Sequence, residues 1–153
     1  MVIPAGAARA HDPPAKAPAT GQALSAAERQ PVAVVDAFHA ALERGDTDAA
    51  LALMSEDVLI FEQGGAERSK AEYATEHLKA DAEYARATRA ERTGRRVQLA
   101  GQLAVVTSEA QTTGRFRERE VNSRGVETMV LRRIRAGWRI SHIHWSSRSA
   151  APR

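Results

Sequence analysis

The chain has 153 residues, 43% of them hydrophobic, with a formal net charge of +3 and no cysteine. That length suits a single packed domain, and the missing cysteines exclude disulfides, thiolate metal sites and a cysteine nucleophile. Of the 22 basic residues 19 are Arg, interleaved with Asp and Glu and accompanied by few aromatics; neither a nucleic-acid surface nor a membrane partner is expected.

Residues 1–24 form a block of their own, holding four of the six prolines among Ala, Gly and Thr. The composition predicts a disordered tail or the remnant of a secretory signal plus linker. Ala8-Arg9-Ala10 before His11 has the small-x-small form of a cleavage site, although the charged start and apolar run are missing. Export to the periplasm or beyond is one reading, and a cytoplasmic Ala-rich tail is the other. A chain starting at His11 would offer an amine and an imidazole to copper. The domain itself is expected over 25–148, with a short tail at 149–153.

Ser25-Ala26-Ala27-Glu28 has the form of a capping box. Pro31 suits an early turn, and Val34, Val35, Phe38, Ala41 and Leu42 recur at helical spacing up to a Gly45 stop. Asp46 caps a second, short helix. On the first helix His39 lies beside the Phe38 stripe, which reads as a surface or rim position. Asp57 to Glu62 reads as a strand ended by Gln63-Gly64-Gly65, with Val58, Ile60 and Glu62 on one face. Ser69-Lys70-Ala71-Glu72 is a second capping box, opening a helix to about Glu83. Its Tyr73, His77, Ala80, Asp81 and Tyr84 share one side, which is too polar for a helix that packs only on a core. A polar cavity beneath it is the expectation.

Four strands follow, with turns expected at Ala100-Gly101-Gln102, at Asn122-Ser123-Arg124-Gly125 and at Ala136-Gly137. Counted in order, the elements give helix, helix, strand, helix and four strands, an α+β layer arrangement. In the last strand simple alternation puts Trp138, Ile140, His142, His144 and Ser146 on one face. The two imidazoles then sit on Cα atoms roughly 6.5 Å apart, close enough to grip one ion or to neighbour each other in a polar pocket. Arg132 and Arg133 are expected on the sheet exterior or paired with Glu118 and Glu120.

The order of elements, the Gly137-Trp138-Arg139-Ile140 run leading to His142 and His144, the preceding Val126-Glu127-Thr128-Met129-Val130-Leu131 and the Ala41-Leu42-Glu43-Arg44-Gly45-Asp46 turn resemble the nuclear-transport-factor-2-like superfamily. Within it they resemble the bacterial SnoaL-like, ketosteroid-isomerase-like members. The resemblance covers about Ala26 to Arg148. It implies three N-terminal helices packed on a strongly curved, mostly antiparallel sheet, forming a cone-shaped pocket for a small ligand. It also implies a homodimer through the outer sheet face. The family holds isomerases, cyclases, dehydratases and epoxide hydrolases beside non-catalytic members. The chain has no counterpart to the Asp-Arg-Asp set of the epoxide hydrolases, nor to the isomerases' Asp base with its Tyr-plus-acid oxyanion hole.

Placed on that cone, His142 and His144 meet His77 and Glu62. Three histidines and a carboxylate suit one divalent transition metal such as zinc, copper, nickel or iron. Such an ion with an open position can activate water for hydrolytic or lyase chemistry. Tyr73, Asp81, Tyr84 and Glu127 would line the pocket or orient the ligands. Two further readings stay open: a metal-free isomerase or cyclase-like enzyme using His and Tyr as acid and base, and a non-catalytic ligand-binding or dimerisation module. No organic cofactor is indicated.

Overall fold

The computed structural model describes residues 23–150, so the expectations for the N-terminal tail and for His11 lie outside the described residues. The elements run α1 (Ala26–Arg44), α2 (Thr47–Ala52), β1 (Met54–Glu62), β2 (Gly65–Glu67), α3 (Lys70–Glu76), α4 (Leu78–Ala87), β3 (Thr88–Ala100), β4 (Leu103–Phe116), β5 (Arg119–Ile134) and β6 (Gly137–Ser149). One six-stranded sheet, not closed, has the order β2-β1-β6-β5-β4-β3. Only the β1–β6 pairing is parallel. Among the described residues no helix is long and apolar enough to cross a membrane.

The helix starts follow from their caps. Ser25 Oγ accepts from the Glu28 amide while Glu28 Oε2 accepts from the Ser25 amide, at 3.3 and 2.8 Å. Two otherwise orphaned donors are thereby satisfied. Gly45 ends α1 in the left-handed region at φ 73°, a conformation glycine adopts without a Cβ penalty. At the second cap Ser69 Oγ accepts from the Glu72 amide at 3.0 Å, but the Glu72 carboxylate takes the Arg68 amide instead of Ser69's. The helix expected from Lys70 to Glu83 is two helices broken at His77 (φ −122°, ψ −29°). The His77 ring leaves the helix line and pairs through Nδ1 with Glu67 on β2.

The helices cover one face of the sheet, the inner face. Val35 and Phe38 of α1 and Tyr73 of α3 are fully buried with Val58, Val106, Met129, Leu131, Ile140 and Ile143 of the strands. Each such apolar side chain contributes about 1.5–3 kcal/mol by leaving water. The turn expected at Asn122–Gly125 is not a turn: these residues pair with β4 as part of β5. The chain reverses instead at Arg117-Glu118, both at positive φ (46° and 64°), the conformation that suits a two-residue hairpin to the strand twist. The ladder then runs unbroken from Phe116↔Arg119 to Leu103↔Arg132. Arg132 does lie at the surface, but it pairs with Asp57 at 2.7 Å and not with Glu118 or Glu120.

Two bulges decide which side chains face inward. In β6 the partners of β5 step from Ile140↔Leu131 to His142↔Val130, leaving Ser141 as the extra residue. One extra residue shifts the side-chain phase of everything beyond it. Trp138 and Ile140 are buried before the bulge and Ile143 after it. His142 and His144 consequently point to the outer face, opposite to the side expected from plain alternation. In β3 the pairing steps from Arg92↔Ala110 to Gly94↔Glu109, leaving Thr93 as the extra residue. Arg92 and Arg95 therefore share the inner face, although their spacing of three would separate them in a regular strand.

Candidate functional site: the cavity under the helices

Between α1, α4 and the inner face of β3–β6 lies a cavity of about 470 Å³, within the range that holds a small organic molecule. Its apolar wall includes Leu42, Ala80, Ala85, Ala90, Ala110 and Phe116. On the sheet side a polar row crosses four strands. Arg95 pairs with Ser108, Ser108 with Glu127 and Glu127 with Trp145, and all four line the cavity.

Glu127 anchors the row. It is only 9% exposed, and its Oε2 accepts from Trp145 Nε1 at 2.8 Å and contacts His39 Nε2 at 2.8 Å. Burial alone pushes the carboxyl up; the hydrogen bond and charge of His39, the Trp145 bond and the Arg95 charge outweigh it and hold the group below the usual carboxylate range. Trp145 is fixed in turn by stacking on Phe38, with centroids 6.3 Å apart at 22°. With Nε2 committed to Glu127, Nδ1 is the ring nitrogen that His39 has left for a ligand. His39 also lines the cavity. Arg95 is held by Asp36 on α1 through Nη1 (2.7 Å) and by Ser108 Oγ through Nε (3.3 Å). Arg92 Nη2 reaches the same Asp36 oxygen at 2.8 Å.

A second polar group lies toward β1, β2 and α4. Tyr73, fully buried, donates its hydroxyl to Asp81 Oδ2 at 2.8 Å. Burial pushes the Asp81 carboxyl up, against the downward pull of the Tyr73 bond and the nearby His77. Burial also raises Glu62, and the charge of Asp81 adds to it. Burial and Asp81 together push the Tyr73 hydroxyl far up, so it remains a donor. Glu62, Asp81 and Tyr84 line the cavity. Tyr84 meets Phe116 edge-on at 5.3 Å.

The residues expected as metal ligands divide between the two faces of the sheet. Glu62 faces inward and His77 binds Glu67. His142 and His144 lie outside, 6.5 Å apart between ring centroids and edge-on to Phe61. His142 Nδ1 is taken by the Leu59 carbonyl at 2.8 Å. Among the described residues no group of three or more His, Asp or Glu side chains is arranged to hold a metal ion. Of the residues expected around the pocket, Asp81, Tyr84 and Glu127 line the inner cavity, while Tyr73 is fully buried behind Asp81. His39, Arg92, Arg95, Ser108 and Trp145, which also line it, were not expected there, nor were Asp36 and Glu67 expected as the partners of Arg95 and His77. The one local signal was Asp36 and His39 at i and i+3, on the flank of the Phe38 stripe.

An α+β sheet with helices over one face and a cavity between defines the cone-like fold of nuclear-transport-factor-2-like proteins, and solved structures share it. A "putative ketosteroid isomerase" from Shewanella frigidimarina is 34% identical, with 74% of this chain and 92% of that one covered and a TM-score of 0.72. A nuclear transport factor 2-like superfamily protein from Salmonella enterica is 17% identical (82% and 93% covered, TM-score 0.69). A CaMKII hub from S. rosetta is 20% identical (82% and 100% covered, TM-score 0.66). No curated protein matches the chain. The family model of the SnoaL-like domain matches residues 32–150, and the chain belongs to that family.

Proposed function

We propose that the chain binds a small carbonyl compound in the inner cavity and moves a proton on it, as an isomerase does. The observation that carries this reading is the His39 Nε2 contact to a buried Glu127 in the cavity wall. A carboxylate on one ring nitrogen orients the imidazole and stabilises its protonated form, so the other nitrogen can take and return a proton. His39 Nδ1 removes a proton from the carbon beside the carbonyl, trades it with water at the 34% exposed ring, and returns a proton at the same or another carbon of the resulting enolate. Atoms balance without a further reactant. Asp81, kept protonated to higher pH by burial and backed by Tyr73, is the acidic partner on the helix side. The 34% identity to a protein named for ketosteroid isomerisation supports the substrate class.

The test is deuterium uptake from heavy water into a panel of ketones, including a β,γ-unsaturated ketosteroid, followed by NMR. The wild-type chain is expected to exchange α-protons, and His39→Ala to lose about 100-fold or more in rate with the fold intact. Exchange at the same rate in both, or none by the wild type on any ketone, contradicts the proposal.

A second copy of the chain is our proposed partner on the outer face. Phe61 and Leu103 are 37% and 46% exposed there, with the helices all on the other side. Light scattering is expected to give a dimer mass that Phe61→Glu halves; a wild-type monomer rules the partner out.

A further inference from the structure

The polar row in the cavity wall is incomplete at two atoms. Glu127 Oε1 is buried without a hydrogen-bond partner, although Oε2 of the same carboxylate has two. Arg95 Nη2 is likewise buried without a partner, although Nη1 and Nε of the same guanidinium are both used. Buried polar atoms are nearly always paired, and an orphan at a concave site points to something that completes it. The two orphans have opposite polarity: the carboxylate oxygen can only accept, and the guanidinium N–H can only donate. They sit on one cross-strand row, separated by Ser108: Arg95↔Ser108 and Ser108↔Glu127. Both residues line the same cavity.

The neighbours fix this arrangement in place. Asp36 and Ser108 hold the guanidinium, while Trp145 and His39 hold the carboxylate. Neither group can turn to satisfy itself without breaking two bonds. The row also carries one cation against one anion, so an added anion would face Glu127 and an added cation would face Arg95. An uncharged group with an acceptor beside a donor fits both. The wall beside the row carries Leu42, Ala85, Ala90, Ala110 and Phe116, with the Glu62, Asp81 and Tyr84 group toward β1 and α4.

We propose that the cavity selects an apolar hydroxyketone: its carbonyl oxygen accepts from Arg95 Nη2 and its neighbouring hydroxyl donates to Glu127 Oε1. This rests on the cavity being the ligand site and adds which functional groups it recognises. Arg95 and Glu127 Oε1 are thus specificity determinants, apart from the proton transfer assigned to His39.

The experiment measures affinity, not turnover, for four probes on one two-ring skeleton. These are benzoin (carbonyl and hydroxyl), deoxybenzoin (carbonyl only), 1,2-diphenylethanol (hydroxyl only) and benzil (two carbonyls). Titrations followed by the Trp145 indole N–H are expected to rank benzoin first by about tenfold or more over the others, since each lesser probe leaves one orphan unpaired. Benzil is expected to be rejected, because its second oxygen meets the carboxylate. Arg95→Met should erase the preference for benzoin over 1,2-diphenylethanol and keep that over deoxybenzoin. In Glu127→Gln the amide oxygen must stay with Trp145 and His39, so the NH2 replaces Oε1 and benzil should overtake benzoin. Equal affinities of the wild type for all four, the result if water alone completes the row, overturns the inference and leaves the cavity as the ligand site. No binding of any probe up to about 1 mM overturns both. The wild-type ranking decides the matter even if a variant does not fold.

Discussion

The two faces of β5 and β6 are made from the same few residues and do opposite things. On the inner face Glu127 and Trp145 lie side by side under α1, buried or half-buried, and draw in His39. On the outer face Thr128 and His144 lie side by side with no helix over them, and His144 is exposed. The neighbours in sequence are chemically alike, a histidine or tryptophan beside a polar residue. Depth makes the difference: burial strengthens each hydrogen bond in the His39–Glu127–Trp145 set, whereas water competes for the His142–His144 pair. The side a residue faces outweighs its type in making a site, and here one extra residue decides the side.

Ile143→Ala set beside His144→Ala is the most severe way to probe the two faces. Ile143 is fully buried and His144 is exposed. The first is expected to cost about 2–5 kcal/mol and the second to stay within about 0.5 kcal/mol, read by equilibrium denaturation. Equal costs at the two positions would show that the strand's faces are assigned wrongly. A smaller effect separates the two ends of the cavity itself. Burial raises the Asp81 carboxyl, so the stability linked to its protonation is complete below the unfolded value, about 3.9, and is lost as pH rises through the folded one. Asp81→Asn still accepts from Tyr73, so it should raise Tm by a few degrees at pH 7 and change little near pH 4. Glu127 runs the other way. Its lowered carboxyl supplies stability above the unfolded value, about 4.3, that is lost as pH falls through the folded one. A Tm that Asp81→Asn lowers at pH 7 would mean that the Asp81 charge stabilises the fold.

Much of the fold was legible because its signals are local. The Ser25 and Ser69 caps, the Gly45 stop, the spacing of Val35, Phe38 and Leu42, and the alternation of Val58, Ile60 and Glu62 each speak within a few residues. Tyr73, Asp81 and Tyr84 were recognisable as a polar helix side for the same reason. The site itself was less legible, because its geometry depends on Thr93 and Ser141. A bulge residue carries no composition mark, and it inverts every later position on its strand. Plain alternation therefore placed His142 and His144 with Trp138, and nothing local marked Arg92 and Arg95 as sharing a face. His39 looked like a rim residue because Glu127, its partner, comes from a strand far along the chain. The Arg117-Glu118 reversal was hidden by the better turn former Asn122–Gly125, which tertiary pairing overrides.

The most direct test is one NMR titration of the wild-type chain with the ketone whose α-proton it exchanges fastest, observing the histidine rings and the tryptophan indoles. The expected result is that the His39 ring and the Trp145 Nε1–H resonances shift together while those of His142 and His144 stay in place. Shifts confined to His142 and His144 would put the ligand on the outer face and contradict the assignment of the site to the inner cavity.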